Sequence, residues 1–258
     1  QDLKEGKPFI AKVFYKDKQL TGSELEATKL WWDPETSNAD IKKVFKDDHY
    51  ELHLGYKNED APEETVLEAI RRGFDSIGFS EHSYLKYSSY PNQLTPKKAL
   101  LYQNEVATLK EKYRDKIQIK IGLECEYFPR YFDWLKTVKP KLDYLILGVH
   151  CADHDEHLTH YYARYNTPEQ IKEYLRCTLT GMESGLFAYL AHPDLCLADY
   201  PVYDDVCKET VHSICRKAKE LGMPLEYNLY GIDKQGRGRQ KGLGYPCEIF
   251  WEAAAEYG

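Results

Sequence analysis

Histidine and glutamate recur at the ends of short apolar runs along the chain. Five such segments follow one another: Glu51-Leu52-His53, Ser80-Glu81-His82, Glu124-Cys125-Glu126, Gly148-Val149-His150 and Ala191-His192-Pro193-Asp194. A single histidine in such a place is more often an ordinary hydrogen-bonded residue. Five in succession are different, because imidazoles and carboxylates are excluded from packed cores unless they are paired or bind a metal. The pattern therefore predicts a shared metal site.

The mixture of donors also indicates the kind of metal. Imidazole and carboxylate ligands suit Zn²⁺, Mn²⁺ or Fe²⁺, and a glutamate that bridges two ions is the usual way to hold them close together. We therefore expect two or three divalent ions. Such ions polarise a phosphoryl oxygen and lower the pKa of a bound water towards neutrality, which generates a nucleophile.

Alternating strand-like and helix-like segments are expected to position these residues. The predicted strands are Tyr50 to Leu54, Asp75 to Ser80, Ile117 to Leu123, Leu142 to Val149, Leu186 to Ala191 and Pro224 to Leu229. The alternation is typical of a parallel α/β fold, and the nearly continuous apolar runs fit strands that are covered on both faces. Active sites of such folds lie beyond the carboxyl ends of the strands.

Local signals predict where the intervening helices begin and end. The starts are Pro62, Thr95-Pro96, the capping-box sequence Thr167-Pro168-Glu169-Gln170, Asp204 and Tyr245-Pro246. Gly73, Gly185 and Gly222 end three of these helices, since glycine readily takes the left-handed conformation beyond a helix.

The first 49 residues follow a different pattern. They contain one predicted strand, Phe9 to Tyr15, and a helix-like stretch from Leu25 to Trp32. We expect residues 1–49 to form an N-terminal extension packed on the main domain, residues 50–258. The six strands predicted within residues 50–258 fall short of the seven or eight that a closed barrel requires.

Composition excludes several classes of function. The chain has 258 residues, and 35 Lys and Arg stand against 42 Asp and Glu, a formal charge of −7. An acidic balance disfavours nucleic acid as a partner. No apolar run approaches the roughly 20 residues of a membrane span, and no signal-peptide pattern precedes residue 30, so we expect a cytoplasmic protein. The seven cysteines are scattered without a CxxC pair, which predicts reduced thiols.

The successive motifs resemble those of the PHP family, named for polymerases and histidinol phosphatase. They are Gly-Phe-Ser-Glu-His (78–82), Gly-Leu-Glu-Cys-Glu-Tyr (122–127), Asp-Tyr-Leu-Ile-Leu-Gly-Val-His (143–150), Ala-His-Pro-Asp (191–194) and Glu-Tyr-Asn (226–228). The resemblance covers roughly residues 50 to 258 and is strongest to the histidinol-phosphatase branch. It implies an α/β fold, a distorted seven-stranded (β/α) barrel, whose strand ends hold up to three metal ions. The implied activity is the hydrolysis of phosphomonoesters at this metal cluster.

The resemblance also implies roles for individual residues. It makes Glu124 the bridging carboxylate, and it makes Glu226 and Asn228 a supporting pair beside the ligands. The full set of implied metal ligands is Glu51, His53, His82, Glu124, His150 and His192. The implied catalytic residues are Glu124, His192, Arg237 and Arg239. Arg237 or Arg239 would orient the phosphate of a small phosphorylated substrate, although a solvated loop explains either arginine equally well.

Two departures from the family pattern leave two hypotheses open. The first motif lacks one histidine of the usual His-x-His pair, since either Gly55 replaces the second histidine or, in the other register, Glu51 replaces the first. The last motif, Asp-x-His, would lie just beyond Gly258. In the first hypothesis the chain is a metal-dependent phosphatase of the histidinol-phosphatase type. In the second it is a divergent relative with a depleted metal site, acting as a binding or scaffold module. The metal, the phosphate ester and the oligomeric state stay open.

Overall fold

The computed structural model describes residues 11–14, 51–54, 62–83, 96–154, 157–236, 238 and 240–258. The strands are β1 (Ala11–Phe14), β2 (Glu51–Leu54), β3 (Ser76–His82), β4 (Gln118–Cys125), β5 (Tyr144–Leu147), β6 (Cys151–His154), β7 (His157–Tyr161) and β8 (Tyr189–Leu190). The helices are α1 (Pro62–Arg72), α2 (Pro96–Lys112), α3 (Phe132–Val138), α4 (Pro168–Glu183), α5 (Asp205–Leu221), α6 (Leu229–Gly236) and α7 (Glu248–Tyr257).

One sheet organises the described part of the molecule, in the order β1-β2-β3-β4-β5-β8. The edge strand β1 is antiparallel to β2, and the other neighbours are parallel. Beyond β8, Leu225 forms a single parallel bridge with Leu190. The parallel α/β architecture predicted from the sequence is confirmed, and it brings the carboxyl ends of β3, β4, β5 and β8 to one edge.

The helix boundaries follow the local signals in the sequence. The backbone N–H of Gln170 donates to the Thr167 hydroxyl at 3.4 Å, and the N–H of Thr167 donates to the Gln170 side chain at 2.8 Å, a complete capping box for α4. Asp204 caps α5 by accepting the N–H of Cys207 at 2.9 Å. Gly222 ends α5 with φ of +62°, in the left-handed region.

The two faces of β5 meet different neighbours because successive side chains point to opposite faces. Leu145 and Leu147 belong to the main apolar core, which also contains side chains from α2, α4, α5 and α7. Tyr144 and Ile146 pack instead in a separate buried cluster with Tyr189 of β8 and Ala191 just beyond it. Both faces are therefore covered, which accounts for the apolar runs in the sequence.

Several predicted elements differ from the structure. The predicted strand from Pro224 to Leu229 reduces to the bridge at Leu225, and the strand from Leu186 to Ala191 shortens to β8. The polar segment after His150, for which no strand was predicted, forms the antiparallel hairpin β6–β7. The last helix begins at Glu248, after Pro246. The short helices α3 and α6 were not predicted.

The N-terminal region is represented by β1, which lies within the predicted strand from Phe9 to Tyr15 and pairs with β2. The predicted helix-like stretch from Leu25 to Trp32 lies outside the described residues. The division of the chain into residues 1–49 and 50–258 stays a prediction.

All seven cysteines lie in the described part of the chain, where they are buried and form no disulfide. In that same part of the chain, none of the helices combines the length and the apolar character needed to cross a membrane.

Candidate metal centre

Three of the predicted ligands meet at the carboxyl edge of the sheet. His82 ends β3 and is paired in register with Glu124 near the end of β4. His150 lies three residues beyond the end of β5. One donor atom from each of the three side chains lies within 4.8 Å of the other two. The strand ends thus bring together groups that are far apart in the sequence.

Glu124 lies between two imidazole rings. Its Oε1 is 2.9 Å from Nε2 of His192 and 3.3 Å from Nε2 of His150. The ring of His150 is 4.6 Å from that of His192 and 4.9 Å from that of His82, centroid to centroid. His192 therefore joins the same cluster through Glu124.

Gly148 leaves the space that this arrangement occupies. A Cβ atom at this position would lie 2.5 Å from Oε1 of Glu124 and 2.7 Å from Cε1 of His150. Real Cβ atoms do not approach other atoms so closely. The absence of a side chain at residue 148 is thus a condition for the observed positions of both candidate ligands.

A second carboxylate, Glu126, holds His150 from the other side of its ring. Its Oε1 is 2.7 Å from Nδ1 of His150, and its carboxylate accepts the backbone N–H of the same residue. Burial by itself lowers the pKa of His150, but the charges and hydrogen bonds of Glu126 and Glu124 outweigh burial and raise the pKa of this imidazole. Without a cation in the cluster, the two acids therefore favour the protonated ring of His150.

His192 is held in a backbone conformation that a non-glycine residue seldom adopts, with φ of +32°. Its backbone N–H donates to Oε2 of Glu226 at 2.9 Å. The amide of Asn228 in turn donates to the same carboxylate at 3.3 Å, and Oδ1 of Asn228 accepts the N–H of Gly231 in α6. The Glu226 carboxylate thus fixes the turn that directs the His192 ring towards Glu124.

Asp194 connects this turn to the C-terminal helix. Its Oδ2 accepts the backbone N–H of Cys247 at 2.6 Å and the indole N–H of Trp251 at 3.0 Å. Burial raises the pKa of this carboxyl to about 7, against the lowering effect of those hydrogen bonds. The residue after the His192-Pro193 pair therefore anchors α7 to the site.

The donors present fit a divalent metal ion. Three imidazoles and a carboxylate converge, and Glu124, His150 and His192 are buried. The lack of a side chain at Gly148 leaves room for Glu124 and His150. Concentrating ionisable groups in a buried place is costly unless they are paired or coordinate a metal. Nitrogen and oxygen donors of this kind match Zn²⁺, Mn²⁺ or Fe²⁺.

A family model for the PHP domain matches residues 49–228, which include His82, Glu124, His150 and His192. The chain belongs to the PHP domain family.

Individual PHP proteins resemble the chain over most of its length. The histidinol-phosphatase of Bacillus subtilis is 29% identical over 197 residues, which are 65% of this chain and 73% of the relative. A HisK structure from Listeria monocytogenes superposes with a TM-score of 0.63 at 20% identity, covering 78% of this chain and 87% of the other.

A second structure, the histidinol phosphate phosphatase of Lactococcus lactis, has a TM-score of 0.52 at 23% identity and covers 67% of this chain and 70% of the other. It was solved as a complex with zinc, L-histidinol and phosphate. Together the two superpositions confirm a PHP-type fold.

The remaining predicted site residues of this PHP chain are not brought to the cluster by any described contact. In β2, Glu51 pairs in register with Ser76 and His53 with Gly78, towards the amino end of β3. The side chains of β2 lie outside the described residues, as do Arg237 and Arg239. The proposed roles of these four residues stay predictions.

Two supporting residues were missed as participants in the site, namely Glu126 and Asp194. Glu126 had a sequence signal, because its spacing of two from Glu124 places both carboxylates on one face. Asp194 had a weaker one, its position two residues after His192. In both cases the partner, His150 or the start of α7, is known only from the fold.

Proposed function

We propose that this PHP protein is a metal-dependent phosphomonoester hydrolase whose substrate is a small phosphate ester, L-histidinol phosphate in the first place. The observation that carries the proposal is the convergence of His82, Glu124 and His150 within 4.8 Å, joined by His192. The names of the Bacillus subtilis relative and of the zinc-bound Lactococcus lactis structure support the choice of substrate. We further infer a cytoplasmic protein that binds neither nucleic acid nor membrane.

His82, Glu124, His150 and His192 would hold the metal, two or three ions in all, with Glu51 and His53 as additional ligands. When bound, Zn²⁺, Mn²⁺ or Fe²⁺ supplies Lewis-acid polarisation of the phosphoryl group and a water of lowered pKa.

The chain itself supplies position and charge. Glu124 presents one oxygen to two imidazoles, a geometry suited to a carboxylate shared between ions. Glu226 holds the backbone of His192, so this ring is preorganised before substrate arrives. In the proposal, Arg237 or Arg239 orients the phosphate, because a guanidinium matches two phosphate oxygens.

The test compares Glu124→Gln with Glu209→Gln, which alters an exposed glutamate on α5. Each protein is assayed with an aryl phosphate and with L-histidinol phosphate, in the presence of Mn²⁺ or Zn²⁺. Glu124→Gln is expected to reduce kcat/KM by on the order of 1,000-fold or more, because it removes a charged ligand from the centre of the cluster. The control is expected to retain the activity of the unmodified chain.

Two results would contradict the proposal. Undiminished hydrolysis by Glu124→Gln would exclude the cluster as the catalytic site. A chain that binds metal at the cluster but hydrolyses neither ester would be the scaffold or binding module that the departures in the first motif leave open.

A further inference from the structure

Glu126 is buried next to the metal cluster and contacts a single residue of it three times. Its Oε1 lies 2.7 Å from Nδ1 of His150. The backbone N–H of His150 donates to both of its carboxylate oxygens, at 3.0 and 3.1 Å. A carboxylate placed in this way can accept one hydrogen bond from a ring N–H and one from the backbone N–H of the same histidine.

The backbone on both sides of these contacts is fixed by neighbouring strands. Glu126 is the first residue beyond β4, and the N–H of Gly148 donates to the carbonyl of Cys125 at 3.0 Å, which continues the pairing past the end of β5. The carbonyl of His150 accepts the N–H of Tyr162 at 2.8 Å, at the end of the β6–β7 hairpin. His150 is thus held through its N–H, its carbonyl and one ring nitrogen.

The contact at Nδ1 decides which ring nitrogen remains for a ligand. A neutral imidazole carries one proton, so a proton on Nδ1 leaves the lone pair on Nε2. Nε2 of His150 is the nitrogen that faces Glu124, 3.3 Å from Oε1. The Glu126 carboxylate and the candidate metal position therefore lie at opposite nitrogens of one ring.

We propose that Glu126 is a positioning residue for His150: its carboxylate accepts a hydrogen bond from the Nδ1–H of the ring, which leaves the lone pair of Nε2 for the metal. The inference rests on the proposed metal-dependent function but does not require that the substrate be histidinol phosphate. A carboxylate that accepts the distal N–H of a metal-bound histidine fixes the ring and makes it a stronger ligand, and its removal typically weakens metal binding by about 10- to 100-fold.

Zinc affinity provides the first test, measured on the full chain by competition with a chromogenic chelator. Glu126→Gln is expected to weaken Zn²⁺ binding by about 10- to 100-fold, since the amide carries no charge and its NH₂ opposes the donors of His150. Glu126→Asp keeps the charge on a shorter side chain and should recover part of that loss. The exposed variant Glu209→Gln should bind Zn²⁺ as the unmodified chain does. Unchanged affinity in both Glu126 variants would overturn the proposal.

The second test needs no folded Glu126 variant. In the unmodified, zinc-loaded chain labelled with ¹⁵N-histidine, long-range ¹H–¹⁵N spectra report which nitrogen of His150 is protonated, with His150→Gln identifying the signal. The proposal predicts a protonated Nδ1 and a metal-bound Nε2. The opposite tautomer would overturn it. Both readouts are independent of turnover, so a chain that binds zinc in this way without hydrolysing phosphate would contradict the proposed function and leave Glu126 in its role.

Discussion

Tyr144 is the first residue of β5 and His150 lies just beyond the last, yet the groups around the two side chains differ. At the amino end, the Tyr144 ring crosses β4 at Gly122, and its hydroxyl donates to the carbonyl of Phe79 at 2.9 Å. At the carboxyl end, His150 lies between two carboxylates. Both residues are buried.

The difference lies in how the buried polar atoms are satisfied. A neutral hydroxyl bonded to a backbone carbonyl costs little and stabilises the sheet. Burying a group of imidazoles and carboxylates costs more free energy, unless the groups are paired or bind a cation. The buried hydroxyl of Tyr144 thus contributes to stability, whereas the groups around His150 have the composition of a metal site. A glycine lies against each group, Gly122 against Tyr144 and Gly148 against His150, so substitution can compare them.

Gly148→Ala is expected to have the largest effect. The added Cβ would meet the Glu124 carboxylate and the His150 ring, so both candidate ligands must move. We expect Zn²⁺ affinity to fall by on the order of 100-fold, with hydrolysis falling alongside it. Chelator competition and steady-state kinetics measure the two effects. The control is Gly236→Ala, whose Cβ would have no neighbouring atom within 4 Å. Unaltered zinc binding in Gly148→Ala would break the comparison.

Gly122→Ala is expected to act on stability instead. Its Cβ would overlap the ring of Tyr144, so the aromatic side chain could no longer cross β4. Overpacking of this kind costs typically about 1 to 3 kcal/mol in the free energy of unfolding. Urea denaturation of the metal-free protein measures that cost, with Gly236→Ala again as the control. The comparison would fail if Gly122→Ala left stability intact and instead weakened zinc binding.

The smallest effect is expected for Glu68 on α1, a partly exposed carboxylate that pairs with the exposed Arg71 and the buried Arg72. Arg71 and Arg72 lower the pKa of Glu68 to about 2, from an ordinary value of 4.5. The folded-state pKa lies below the unfolded one, so the stabilisation is present above pH 4.5 and is lost as the pH falls towards 2.

Since Glu68 is 42% exposed, solvent screening limits its contribution to below about 1 kcal/mol. Denaturation of Glu68→Gln and the unmodified chain should therefore differ slightly at pH 6 and converge near pH 2. A difference that grew on acidification would contradict this assignment.

Local features of the fold could be predicted from the sequence because their causes are local. The capping box at Thr167 and Gln170 and the glycine end of α5 depend on residues within one turn. The shared face of Glu124 and Glu126 follows from the two-residue period of a strand.

The features that were missed depend on contacts distant in the sequence. The family resemblance implies Glu226 as a supporting residue, but its hydrogen bond to the backbone N–H of His192, where φ is unusual, is known only from the fold. The segment from Pro224 to Leu229 has the apolar pattern of a strand, but only Leu225 pairs with a neighbour. The β6–β7 hairpin has a polar sequence, which local reasoning interprets as a loop. The set of residues at the site was thus more predictable than their supports.

We propose that His82, Glu124 and His150 bind one divalent metal ion at the carboxyl edge of the sheet. The most direct test is anomalous diffraction at the zinc absorption edge from crystals grown with Zn²⁺. The account predicts an anomalous peak about 2.0 to 2.2 Å from a nitrogen of each histidine and from a Glu124 oxygen. Zinc bound only elsewhere, with these three side chains left uncoordinated, would contradict it.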